Sequence, residues 1–182
     1  DPDVIMVGEI RDAETAHIAV EAALTGHLVL ATLHTNDSAA AVVRLTEMGI
    51  EPFLVATALS GVLSQRLARR LCLECREPID VPRAAVADLL RLHGDEAVTE
   101  TVRIHRGKGC GRCHGSGYRG RFALAEMMTS TDAIDRLIIA RASANEIRAQ
   151  AIDEGMRTIA LEGVASVLDG RTSLEELGRI VR

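Results

Sequence analysis

Two short apolar runs, separated by an amphipathic stretch, open the chain. Val4 to Val7 carries no polar residue and no alternation, the pattern of a strand covered on both faces. From Asp12 the period changes. Ala16, Ala19, Val20, Ala23 and Leu24 recur at the spacing of one helical face, with Asp12 placed to cap the helix and Gly26 to stop it. Leu28 to Leu33 is a second apolar strand. A strand, a helix and a strand joined at this length predict a parallel, right-handed βαβ unit. Both strands then run the same way. Glu9, just past the first, and His34, just past the second, therefore leave the sheet along one edge, and in open α/β sheets ligands bind at that edge.

Further on, Asn36 or Asp37 caps a predicted helix through Ala39, Val42, Val43, Leu45 and Met48, closed by Gly49. Glu51-Pro52 begins another through Leu59, with Gly61 as its stop. Val62 to Leu71 has few β-branched residues; Gln65, Arg66, Arg69 and Arg70 would suit a strand or a helix with one wet face, and the stretch is read as a strand. Two CxxC pairs follow, Cys72-Leu73-Glu74-Cys75 and Cys110-Gly111-Arg112-Cys113, with a charged helical insert predicted between them from Pro82 to about Leu92. Glycines crowd the second pair, as close wrapping of backbone requires. Arg121 to Met128 returns the chain to a strand, and the last third reads as helices. Ser143-Ala144-Asn145-Glu146 and Ser173-Leu174-Glu175-Glu176 both have capping-box spacing. The expected organisation is an α/β core over residues 1–71, a tetracysteine module over 72–120, and a return strand with a helical subdomain over 121–182.

Composition adds bounds. The chain has 182 residues, enough for one good-sized domain or a domain with a small module, and 47% are apolar. Tyr118, Phe53 and Phe122 are its only aromatic residues, so aliphatic side chains must fill the core. A net charge of −5 opposes nucleic-acid binding by bulk electrostatics. No apolar run approaches the roughly 20 residues of a membrane helix, and no signal-peptide pattern precedes the first strand, so a soluble, cytoplasmic protein is expected. The entry from Asp1-Pro2-Asp3 straight into a buried strand suggests a piece of a longer protein.

Two constellations carry candidate chemistry. Paired CxxC motifs offer four thiolates to one tetrahedral ion, which predicts a structural Zn²⁺ held by Cys72, Cys75, Cys110 and Cys113; the plainer reading is four buried thiols or two local redox disulfides. Arg76, Arg103, Arg106, Lys108, Arg112, Arg119 and Arg121 flank the motifs and are expected to offset the charge of such a centre. The same arginines admit a nucleic-acid or anionic-lipid surface, although Tyr118 alone could stack on a base. The second constellation is the strand edge. A carboxylate at Glu9 could hold Mg²⁺ or polarise a water, against the plain reading of a polar turn; His34 stands beside it, against that of a structural histidine. His114 is at most a reserve ligand. No GxxxxGK[ST] phosphate loop occurs in the 182 residues.

Taken together, Asp1-Pro2-Asp3 with Val7-Gly8-Glu9-Ile10-Arg11-Asp12, then Thr25-Gly26-His27 and Thr32-Leu33-His34-Thr35-Asn36, resemble the secretion ATPase superfamily, whose members energise type II secretion and type IV pilus assembly. The first block is similar to its Walker B motif and the second to its histidine box. Met48-Gly49-Ile50-Glu51-Pro52-Phe53, Gln65-Arg66-Leu67, both CxxC pairs, Gly117-Tyr118-Arg119-Gly120-Arg121 and Thr172-Ser173-Leu174-Glu175-Glu176 follow in the family's order. Among branches the chain is most similar to the general secretion pathway ATPases, with the pilus-extension branch a close second. The resemblance implies the C-terminal part of a RecA-like P-loop NTPase domain, a homohexameric ring, ATP and Mg²⁺ as cofactors, and inner-membrane secretion or pilus platform proteins as partners. It implies Glu9 and His34 as catalytic residues and Gly8 and Arg11 as members of the nucleotide-binding motif. The family's phosphate loop, acidic box and arginine fingers precede the Walker B strand and are not among these residues. Ala123-Leu124-Ala125 stands where the family often carries a glycine and a histidine.

Overall fold

The apolar runs become β1 (Val4–Val7) and β2 (Leu28–Ala31), joined by α1 (Ala13–Leu24), in a computed structural model that describes residues 2–87 and 100–181. The strands pair in parallel, Val4 opposite Leu28 through Val7 opposite Ala31, so the βαβ unit forms as the periodicity predicts. The Asp12 carboxylate accepts from the Thr15 backbone N–H at 2.8 Å and starts α1, and Gly26, at φ +101°, turns the chain out of it. Cover on both faces is not met within these residues. Val7 and Val29 pack on the core, but Val4, Met6, Leu28 and Leu30 remain about half to four-fifths exposed, because the helices here lie against one side of a two-stranded sheet.

The chain divides into two compact units, Asp1–Ser64 with Met127–Met156, and Gln65–Glu126 with Arg157–Arg182. The expected boundaries after residues 71 and 120 both fall within the second unit, and the expected segment 121–182 contributes to both. The first unit holds the βαβ, α2 (Ser38–Glu47), α3 (Pro52–Ala58), α4 (Asp132–Ile139) and α5 (Ala144–Asp153). Asp37 caps α2, accepting from Ala40 N at 2.8 Å, and its second oxygen receives Arg148 of α5 at 3.1 Å. Ser143 and Glu146 close a capping box on α5. The core, with Ala16, Val42, Val55, Ile134 and Ile147 buried, is aliphatic, as the scarcity of aromatics requires.

The second unit is built on the greater part of β3 (Gly61–Leu71) and β6 (Tyr118–Thr129), which pair with each other. The strand reading of 62–71 holds. Ser130 N donates to Ser60 O at one end and Cys72 N to Gly117 O at the other, so the pair is antiparallel. Gly61, read as a helix stop, opens the strand, where a Cβ would lie 2.8 Å from Met128 O. Between the cysteine pairs, β4 (Arg76–Pro82) and β5 (Thr101–Gly107) form an antiparallel ladder with Arg76 opposite Gly107. The helix expected from Pro82 begins later than read: Pro82 ends β4, Arg83–Val86 form one 3₁₀ turn and Ala87 is helical, while the rest of the expected helix lies outside the described residues. Val102 and Ile104 of β5 pack with Val164 and Val167 of α6 (Ile159–Leu168) and Leu177 of α7 (Leu174–Ile180). The hairpin between the cysteine pairs thus shares a core with the last helices and does not stand apart from them. No helix among the described residues is long and apolar enough to cross a membrane.

Candidate functional site

Chain geometry brings Glu9 and His34 together. Parallel pairing ends at Val7 and Ala31, and each strand then runs on to an ionisable residue. His34 Nε2 lies 2.8 Å from Glu9 Oε1. The other carboxylate oxygen, Oε2, accepts from Arg11 Nε at 2.5 Å and also meets Arg11 Nη2. The Glu9 side chain is only 19% exposed, whereas those of His34 and Arg11 are open to solvent. The Arg11 hydrogen bond, then the charges of Arg11 and His34, outweigh burial and hold the Glu9 carboxyl below its ordinary value. Glu9 is therefore an anion at neutral pH, aimed out of the sheet between a guanidinium and an imidazole. Such a group accepts a proton or orients a water when one of its present partners yields.

Gly8 sits in the turn that presents Glu9, and its carbonyl accepts from Thr32 Oγ1 at 2.5 Å. Ile10 N donates to Thr32 O at 2.9 Å. The sequence reading gives Thr32 no role of its own; the structure supplies the signal, since continuing the 24-residue offset of the strand register pairs it with Gly8. Asp12, also within the motif, caps α1.

The four cysteines converge as well. Cys72 and Cys110 Sγ are 3.9 Å apart, Cys75 and Cys113 3.8 Å, and Cys110 and Cys113 3.7 Å, with all four ligand atoms within 4.8 Å of one another. A tetrahedron of thiolates about 2.3 Å from a zinc ion has edges of about 3.8 Å, so the donor set fits that ion. Cys110 N and Gly117 N point at Cys113 Sγ at 3.2 and 3.3 Å. These donors hold the Cys113 thiol down to about 6, while burial pushes Cys75 up to about 12. A divalent cation would resolve that conflict by favouring all four thiolates. His114 is outside the cluster. Gly107 and Gly117 let the backbone close around it, since a Cβ on Gly107 would stand 2.3 Å from Gly117 O.

The basic residues around the centre are partly committed elsewhere. Arg103 pairs with Asp80 at 3.1 Å and Arg106 with Glu77 at 2.8 Å across the β4–β5 ladder, and Arg76 donates to Gly170 O. These contacts engage three of the seven basic residues that flank the centre in sequence. Tyr118, the one candidate for base stacking, carries the Arg69 guanidinium 4.1 Å from its ring centre and bonds Ser173 Oγ through its hydroxyl. A second polar cluster was missed. Glu176, fully buried, accepts from Arg69 N at 3.0 Å, Arg69 Nε at 2.8 Å and Arg179 Nη2 at 2.7 Å.

The α/β fold is shared with solved structures. The pilus retraction motor PilT with bound ADP superposes with a TM-score of 0.65 at 24% identity, covering 99% of this chain and 40% of that one. The ATPase DotB of Legionella pneumophila gives 0.64 at 22%, covering 100% and 39%. At these identities the likeness is one of fold. The sequence goes further: the profile of the family described as Type II/IV secretion system protein matches residues 1–179, and the chain belongs to that family. The type IV pilus assembly ATPase PilB of Thermus thermophilus is 52% identical over 177 residues, 97% of this chain and 20% of that protein. The type II secretion system protein E of Pseudomonas aeruginosa is 49% identical over 182 residues, 100% of this chain and 35% of that protein. The chain thus spans a fifth to about a third of these relatives' length.

Proposed function

We propose that this chain is part of a RecA-like, ring-forming ATPase that drives pseudopilus assembly and protein export in type II secretion. The observation that carries the reading is the 2.8 Å approach of His34 to Glu9 at the ends of two adjacent parallel strands. In this reading Glu9 orients the attacking water and supports Mg²⁺, His34 answers to the terminal phosphate of ATP, and Gly8 and Arg11 shape the turn that presents the carboxylate. No GxxxxGK[ST] motif occurs in these residues, so the groups that cradle the phosphates come from other sequence. Cys72, Cys75, Cys110 and Cys113 hold Zn²⁺, whose role is to fix the ends of the β4–β5 hairpin and not to take part in hydrolysis. The partners are further copies of the same subunit and a membrane-embedded platform, with the cytoplasmic face of the inner membrane as the place of work and contact with anionic lipid as an auxiliary attachment.

A second reading, type IV pilus assembly, is favoured by relatives of that name at an identity close to that of the secretion proteins. The chemistry is the same in both. The test is Glu9→Gln in the full-length protein. Glutamine keeps the shape but cannot take a proton, so ATP turnover should fall by a factor of about 10² or more while nucleotide affinity stays within a few fold. Turnover near the wild-type rate would remove Glu9 from the chemistry.

A further inference from the structure

Resting on that reading of Glu9, we infer that Thr32 is the positioning residue that sets the carboxylate, acting through the backbone on both sides of it. The regular ladder between β1 and β2 ends at Val7 and Ala31. Two more bonds continue it, and both belong to Thr32. Its hydroxyl donates to Gly8 O, in the peptide before Glu9, and its carbonyl accepts from Ile10 N, in the peptide after it. The two peptide planes that define the Glu9 backbone are therefore tied to one residue of the neighbouring strand. Ile10, 8% exposed, anchors the far side of the turn in the core.

Side-chain chemistry separates the two ties. The Ile10 bond uses the Thr32 carbonyl and survives any substitution there, whereas the Gly8 bond needs a hydroxyl on the β-carbon. Thr32 is an exposed residue, so water could satisfy its hydroxyl equally well. What the bond adds is direction. Gly8 has no side chain, and a Cβ on it would meet no atom within 4 Å, so the turn has room to move and little packing to stop it. Thr32 and His34 stand two residues apart in the chain just beyond β2. One reaches Gly8 O and the other Glu9 Oε1, which fixes the carboxylate and its imidazole partner to a common frame.

The test uses the full-length protein with Thr32→Val, Thr32→Ser and Glu9→Gln beside wild type, measuring kcat, KM, affinity for a fluorescent ATP analogue and the melting midpoint. Valine keeps the shape and loses the hydroxyl. For Thr32→Val, kcat should fall about ten- to a hundredfold, the range expected of a misplacement of up to 1 Å, with KM and nucleotide affinity within about twofold. Serine should restore kcat to within about threefold of wild type, and both variants should melt within about 2 °C of it, as expected for loss of an exposed hydrogen bond. If Thr32→Val does not fold, Thr32→Ala carries the same expectations. A hydroxyl-free variant with wild-type kcat, a rise in KM that accounts for the whole loss, or failure of serine to rescue would each overturn the inference. A fully active Glu9→Gln protein would instead overturn the reading of Glu9, whatever Thr32→Val does.

Discussion

Loss of Glu176 should be felt strongly in stability. It lies at 0% exposure in the first turn of α7 and accepts from the Arg69 backbone and from the guanidinium groups of Arg69 and Arg179. Burial alone would raise its carboxyl above the ordinary 4.5, but the two arginines and the backbone N–H hold it at about 2. A carboxyl held that far down in the folded chain contributes about 3 kcal/mol. Because the folded value is the lower one, this contribution is complete above pH 4.5 and is lost as pH falls from there through about 2. Glu176→Gln removes the charge and leaves two guanidinium groups against a neutral amide. Breaking a buried pair in this way costs about 3–5 kcal/mol, in agreement with the titration figure. Urea unfolding followed by circular dichroism should place the variant about 3 kcal/mol below wild type at pH 7, or about 6–12 °C lower in melting temperature for a chain of this size. Below pH 4.5 the two curves should converge. Both proteins keep the same four cysteines, so any loss of metal in acid cancels in the difference. A gap under about 1 kcal/mol at pH 7, or one that stays constant into strong acid, would refute the reasoning.

Two further outcomes follow from the cysteine centre. Replacing Cys72 by Ser should cut bound zinc from about one ion per chain to near zero and loosen the β4–β5 hairpin. Metal analysis of the purified protein decides it, and unchanged zinc would remove the tetracysteine assignment. Gly107→Ala should destabilise by about 2–3 kcal/mol, because its Cβ would stand 2.3 Å from a backbone oxygen that has no rotamer to escape into. A wild-type unfolding curve would mean the backbone at Gly117 is free to shift.

Much of this was legible in the sequence because local signals and tertiary packing agree. The βαβ unit follows from one change of period at Asp12, and Asp12 and Asp37 cap the helices they precede. Where local and tertiary demands part, the pattern misleads. Ser143–Glu146 and Ser173–Glu176 share one spacing, yet only the first closes as a capping box. Glu176 turns from its own N-cap to two arginines, Arg179 one turn on in the same helix and Arg69 more than a hundred residues away in sequence. Between the cysteine pairs the sequence suggests a charged helix from Pro82 to about Leu92 and gives no reading of the hairpin strands on either side of it. Val102 and Ile104 nevertheless alternate with polar residues at period two, and both are buried. At the strand edge, parallel direction alone puts Glu9 and His34 on one edge; their 2.8 Å approach depends on the register as well. The role of Thr32 needed the register, which periodicity does not supply.

That register also checks assembly. Ile5 and Val29, which face each other in the ladder, lie on the side turned toward the core, while the same alignment sets His34 beside Glu9. A slip of one residue would carry His34 about 3.3 Å along the sheet and at the same time turn Val29 out and Leu28 or Leu30 in. The misaligned sheet would lose both its packing and its polar pair. Correct burial of a few aliphatic side chains is thus the condition on which the 2.8 Å approach of His34 to Glu9 depends, so a misregistered chain loses its polar pair by the same error that destabilises it.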